Sequence, residues 1–276
     1  MGIDCVTDEQ LLSLKDVSAF VDELANKAHW NQQPFVGKSA FAHKGGVHVS
    51  AVRKNSQTYE HIEPEKVGNF QRILVSDLSG KSNVLHKAKE YGLDVDDKDP
   101  KVQKILESLK ESENLGFQYE GAEASFELMM RDALGQKEIF FEFIGFRVIV
   151  EKRQEDEEPI SEATVKLRVN GVQEVSAAEG TGPVNALDKA IKKALVKFYP
   201  ELEEINLYDY KVRILEEKKG TRAKTRVLVE SGDHHTKWGT VGVSENIIEA
   251  SWQALIDSID YKLNQATKPG QSAGGK

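Results

Sequence analysis

The sequence predicts an α+β protein: an all-α N-terminal region followed by a duplicated domain of two strand-strand-strand-helix units. Three observations carry this expectation. Apolar residues recur at three- and four-residue spacing from Thr7 to Gly135, the spacing changes to alternation beyond Gln136, and the second half matches itself at a shift of 60 residues. The expected organisation is a helical region over 1–135, a duplicated domain over 136–264 with units at about 137–200 and 201–264, and a flexible tail over 265–276.

The elements follow in order. Thr7 and Gln10 have the reciprocal capping pattern, and Leu11, Leu14, Val17, Phe20, Val21 and Leu24 mark one face of a helix that should end near Trp30. Asp99-Pro100 opens a helix with the stripe Val102, Ile105, Leu106 and Leu109. Gly121 and Gly135 enclose another, with Ala124, Phe126, Leu128, Met129 and Leu134 directed at a core. Alternation then begins at Phe141 and Phe143 and continues through Phe146, Val148 and Val150, with a bend at Gly145. The acidic run Glu155 to Glu158 reads as a solvated loop before Val165, Leu167 and Val169, and Val172 to Ala177 supply a third strand. Gly182-Pro183 starts a helix carrying Val184, Leu187, Ala190, Ile191, Ala194, Leu195 and Phe198.

The second unit repeats the order. Tyr208, Tyr210, Val212 and Ile214 alternate, Lys218-Lys219-Gly220 turn the chain, Thr225, Val227 and Val229 alternate again, and Lys237 to Val241 precede a helix capped at Ser244. The shift lays Gly182 on Gly242, Leu187 on Ile247, Ala190 on Ala250, Ala194 on Ala254 and Leu195 on Leu255. Two such units would pair about a pseudo-twofold axis, with helices covering one face. The small polar residues from Gln265 onward should fray.

Composition excludes several classes. With 30% charged residues, 39% hydrophobic residues, 7 Pro and 21 Gly, the 276-residue chain is neither disordered throughout nor collagen-like. Lys plus Arg at 37 against Asp plus Glu at 45 gives a net charge of -8, the wrong sign for a phosphate-backbone binder, so no nucleic-acid partner is expected. A single cysteine, Cys5, forms no internal disulfide and fits a reducing compartment; the expected location is the cytoplasm. No segment has the roughly 20 apolar residues of a membrane span, the first residues lack a signal-peptide layout, and no membrane partner is expected.

Chemistry concentrates in Gly37-Lys38-Ser39-Ala40-Phe41-Ala42-His43-Lys44-Gly45-Gly46-Val47-His48-Val49-Ser50-Ala51. An imidazole can serve as general acid or base near neutral pH, and the Gly45-Gly46 backbone leaves room for an anionic ligand. Taken from the residues alone, a structural or exposed role is the stronger reading of two histidines flanking a helix start. Metal is not expected here, because His43 and His48 are five apart and do not share a helical face.

This segment, followed by Tyr59-Glu60-His61-Ile62-Glu63-Pro64-Glu65-Lys66-Val67-Gly68-Asn69, closely resembles the region just after the catalytic barrel in the citramalate synthases; the related 2-isopropylmalate synthases share its outline. The resemblance runs over essentially the whole chain. Isopropylmalate synthases commonly carry His-Gln-Asp-Gly where this chain has His48-Val49-Ser50-Ala51, which favours the citramalate side. It implies condensation of acetyl-CoA with pyruvate to citramalate in isoleucine biosynthesis, on a TIM barrel that holds a divalent metal. His48 would move a proton or polarise the thioester carbonyl, and Tyr59 would position or protonate. The barrel's Asp-Thr-Thr-Leu-Arg-Asp-like strand and His-x-His pair are absent from these residues. The chain is therefore expected to be the C-terminal portion of a longer enzyme, with Met1 internal, no cofactor of its own and no synthase activity alone.

The resemblance further implies a homodimer that binds isoleucine, or leucine, as a feedback effector. Gly180, Gly182 and Pro183 lead into a helix N-terminus whose N–H groups suit a carboxylate, and Gly239 and Gly242 repeat the arrangement. Tight strand-to-helix turns explain the same glycines without a ligand. His234-His235 reads as an exposed turn, and Trp238 and Trp252 as core or dimer contacts. Two alternatives remain: a stand-alone amino-acid-binding regulatory protein, and a purely structural dimerisation module.

Overall fold

The computed structural model describes residues 5–27, 29–74, 81–93, 95, 99–215, 220 and 222–266. It is α+β and divides into two compact units, Met1–Leu106 and Glu107–Lys276. The proposed Lys218-Lys219 turn and the tail from residue 267 lie outside the described residues.

In the first unit the expected single N-terminal helix is two, α1 (Asp8–Leu12) and α2 (Leu14–Leu24). The capping box at Thr7 and Gln10 forms with both reciprocal bonds. The break falls at Ser13, whose hydroxyl donates to Gln10 O and competes with the helix ladder. The stop comes well before Trp30 because Asn26 takes a left-handed φ of 51°. Val17, Phe20, Val21 and Leu24 are exposed, so the apolar face read from the sequence is not core within this unit.

The region is also not purely helical. Two-residue strands β1 (Ala42–His43) and β2 (Arg72–Ile73) pair in parallel, because His43 O and Phe41 O accept from Leu74 N and Arg72 N. Between them come α3 (Gly46–Lys54), a 3-10 turn at Ser56–Thr58 and a second at Pro64–Val67. Gly68 ends the latter at φ 69°, and a Cβ there would lie 2.2 Å from Leu12 O, so only glycine fits. Then follow α4 (Lys81–Glu90) and α5 (Pro100–Leu115), which starts with Asp99 Oδ1 accepting from Lys101 N at 2.8 Å. Val102, Ile105 and Leu109 are buried along α5 as the stripe requires.

The second unit begins within α5, at Glu107, and its next helix is α6 (Glu123–Leu134), closed by Gly135 in the left-handed conformation. An antiparallel sheet follows in the order β3 (Glu142–Glu151), β4 (Ile160–Val169), β5 (Val172–Gly180), then α7 (Pro183–Leu195). A second antiparallel sheet, β6 (Asn206–Ile214), β7 (Thr225–Gly232), β8 (Lys237–Ser244), precedes α8 (Ile247–Ala266). Both first strands carry a register shift near their start, between Phe143 and Gly145 and between Leu207 and Asp209, so the Gly145 bend is a bulge. Asn170 and Gly171 take positive φ and join β4 to β5 as a two-residue hairpin turn.

Alternation dictates the core. Ala163, Val165, Leu167 and Val169 are fully buried against Ala186, Leu187, Ala190, Ile191, Ala194 and Leu195 of α7, and α8 adds Trp252, Leu255, Ile259 and Leu263. Trp252 stacks on Phe146 at 5.1 Å, and Trp238 donates its indole N–H to Ser258 Oγ at 3.0 Å, so both tryptophans are interior. The second helix is capped at Asn246 rather than Ser244: Asn246 Oδ1 accepts from Ile248 N and Glu249 N, while Ser244 Oγ accepts from Asn246 N.

Candidate functional site

In the first unit, α3 and the 3-10 turn after it bring the two residues singled out by resemblance together. Gly45 is the N-cap of α3 and His48 stands in its first turn. Asn55 ends α3, and its side chain accepts from Gln57 N to start the Ser56–Thr58 turn that delivers Tyr59. The Tyr59 and His48 rings stack with centroids 4.2 Å apart and planes at 29°. Both side chains are exposed, so a reacting group can approach them.

Beneath the stack lies a pair whose role the sequence did not disclose. His43 is buried on β1, and its Nε2 meets Glu60 Oε1 at 2.8 Å. Gln71 donates its amide to the same oxygen at 3.0 Å. Glu60 Oε2 is buried without a hydrogen-bond partner among the described residues. The His43 ring also lies edge-on to Tyr59 at 6.5 Å. No helical or strand period links residues 43, 60 and 71; the parallel β1–β2 pairing brings His43 and the residue before Arg72 together, and the chain after the Ser56–Thr58 turn adds Glu60. An open groove of about 510 Å³ runs along α3, lined by Gly46, Val47, Ser50, Ala51, Lys54, Asn55 and Thr58, with neither His48 nor Tyr59 in its lining.

In the second unit the two glycine sets fall into different settings. Gly180 ends β5, and a Cβ on it would lie 2.4 Å from Ala186 N, so the strand passes directly over the start of α7. Gly182 is the N-cap of α7 in extended conformation with Pro183 at its first position, and Asn185 Oδ1 reaches back to Thr181 N at 3.3 Å. Space beside Gly182 is open. Gly239 and Gly242, by contrast, lie inside β8 and not at a strand-to-helix turn. A Cβ on Gly239 would sit 1.9 Å from Gly121 O, and one on Gly242 2.0 Å from Ala250 O. Protein backbone already occupies both approaches.

The acidic cluster on α8 was also missed. Ser125 Oγ donates to Asp257 Oδ2 at 2.6 Å and accepts from Val241 N at 3.0 Å. Burial pushes the Asp257 carboxyl up to about 7, against the Ser125 hydrogen bond and the Lys137 charge. Asp260 is raised by burial as well, although Lys137 Nζ pairs with it at 2.9 Å. Their i, i+3 spacing on one helix is readable in the sequence, but the apolar residues Leu255, Ile259 and Leu263 around them read as a packing face.

Among the described residues no group of three or more His, Cys, Asp or Glu side chains converges to hold a metal, and no helix is long and apolar enough to cross a membrane.

Comparison with known proteins defines the class first. Residues 120–263, just over half of the chain, match the LeuA allosteric (dimerisation) domain, and residues 35–116 match the homocitrate synthase post-HMGL domain-like family. The chain belongs to the LeuA allosteric (dimerisation) domain family. It is 59% identical over 266 residues to the (R)-citramalate synthase of Geobacter sulfurreducens, covering 96% of this chain and 50% of that protein. It is 53% identical over 270 residues to the (R)-citramalate synthase of Aquifex aeolicus, covering 98% of this chain and 51% of the relative. The 2-isopropylmalate synthase of Methanocaldococcus jannaschii is 29% identical over 266 residues, covering 95% of this chain and 49% of its own. The chain spans about half the length of the curated relatives it matches.

Proposed function

We propose that this chain is the C-terminal part of a citramalate synthase, joining acetyl-CoA to pyruvate in the complete enzyme and carrying its feedback regulation. The observation that carries the reading is the His48–Tyr59 stack, standing exposed in a chain 59% identical to a citramalate synthase. Condensation requires a proton to leave the acetyl methyl and the new alkoxide to be protonated. An imidazole in contact with a phenol supplies a proton-accepting and a proton-donating group side by side. His48 polarises or exchanges a proton at the thioester, and Tyr59 orients or protonates. The divalent metal implied by the resemblance would, in this reading, be held by the barrel of the complete enzyme.

In the same reading residues 136–264 form a duplicated domain, its two strand-strand-strand-helix units related by a pseudo-twofold axis and pairing with a second copy as a homodimer. Residues 1–135 are the linker that delivers His48 and Tyr59. The regulatory ligand is isoleucine, its carboxylate at the α7 N-terminus beside Gly182 and Pro183, where an open approach and the helix dipole support it. The chain alone is inactive and acts in the cytoplasm. Calorimetric titration with isoleucine and leucine, with an assay for condensation of pyruvate and acetyl-CoA, tests the reading. Tighter isoleucine binding without turnover is expected. Leucine preference would move the parent enzyme to isopropylmalate synthesis, and turnover by this chain alone would refute its inactivity.

A further inference from the structure

We propose that Glu60 is a positioning residue which, with His43, sets the stack of Tyr59 on His48. The inference rests on His48 and Tyr59 being the active-site contribution of this chain, but its test reads the stack itself. Tyr59 is 47% exposed, so core packing does not fix its ring. The next residue in the chain is anchored instead: the Glu60 side chain is 2% exposed and its Oε1 accepts from Gln71 Nε2 and meets His43 Nε2. One carboxylate oxygen thereby ties together three segments: β1, which leads through Gly45 into α3 and His48; the 3-10 turn that ends at Tyr59; and the approach to β2. With Glu60 as acceptor, the His43 proton resides on Nε2 and the ring is locked edge-on to Tyr59.

Stability alone does not call for a carboxylate here. Burying one costs free energy unless every lone pair is met, and Glu60 Oε2 has no partner among the described residues. An apolar side chain of similar volume would pack without that cost, but it would leave His43 and Gln71 without their acceptor and Tyr59 without an anchor.

The experiment uses the full chain with labelled histidine rings. A tyrosine face over an imidazole shifts the imidazole protons upfield, so the His48 ring protons report the stack. Glu60→Ala is expected to abolish that upfield shift, while methyl resonances of the second unit stay in place. Glu60→Gln is expected to restore it, because the amide oxygen accepts the same two donors and merely exchanges one unpartnered group for another. Should Glu60→Ala fail to fold, Gln71→Ala and His43→Ala each remove one strut, and each is expected to lose part of the shift. An unchanged His48 upfield shift in a folded Glu60→Ala chain, or in both single-strut variants, overturns the proposal. Because no turnover is measured, failure of the synthase reading would leave this result standing.

Discussion

The Asp257 carboxyl makes the second unit lose stability as the pH rises through the slightly acidic range. It projects from α8 toward Ser125 of α6, with Asp260 as acidic neighbour and Lys137 as basic neighbour. Burial raises its pKa from 3.8 to about 7, outweighing the Ser125 hydrogen bond and Lys137. A carboxyl with a raised folded pKa holds its proton more tightly in the folded state. Its contribution is whole below the unfolded value, declines while the unfolded chain alone is deprotonated, and levels off above the folded value. The window spans about 3 pH units, and about 1.4 kcal/mol per unit gives a loss on the order of 4 kcal/mol across it. Asp260, also raised by burial, adds to the same slope. Lys137 stays out of the window: burial would lower it, but its pairing with Asp260 wins and its pKa lies above the ordinary lysine value. Asp257→Asn keeps an acceptor for Ser125 Oγ and removes the titration. Urea unfolding at about pH 5 and about pH 8 should show the unaltered chain losing roughly 3 kcal/mol and Asp257→Asn much less. Equal losses in the two chains would refute the argument.

Other perturbations separate structural from ligand roles. Asp233 shows the opposite pH dependence: burial would raise it, but Lys262 at 2.6 Å and the amides of His235 and Thr236 hold it far below the usual carboxylate range. Its stability is present above about 3.8 and lost as the pH falls below, so Asp233→Asn should shrink the acid limb of a circular-dichroism titration. Gly242→Ala forces a Cβ to within 2.0 Å of Ala250 O and should cost about 1–3 kcal/mol in thermal melts. Gly182→Ala meets nothing within 4 Å and should cost under about 1 kcal/mol, so any loss of isoleucine affinity there reports ligand contact rather than unfolding. Ser258→Ala removes the acceptor of the buried Trp238 indole and should cost about 1–3 kcal/mol in urea unfolding.

What the sequence discloses follows from the range of the interaction that determines each feature. The buried faces of β4 and β7 and of α7 were legible because alternation and helical period are local, and Val165, Leu167, Leu187 and Ile191 obey them. The sequence puts the cap of α8 two residues early because Ser244 and Asn246 are both good caps, and the strand register, which carries β8 through Ser244, decides between them. The apolar face of α2 was legible as a face but not as an exposed one, since a period records which residues share a side and not whether anything covers it. The glycines divide on the same principle. Gly182 has an open approach, whereas Gly239 and Gly242 are required by backbone from residues 118 positions earlier and eight positions later. A sequence shift aligns Gly182 with Gly242, yet it is Gly180 and Gly242 that each press a strand onto the helix that follows. The candidate active site shows the limit most sharply. His48 and Tyr59 are named by resemblance, but the carboxylate beside them emerges only in the folded chain, because contacts among residues 43, 60 and 71 have no period to betray them.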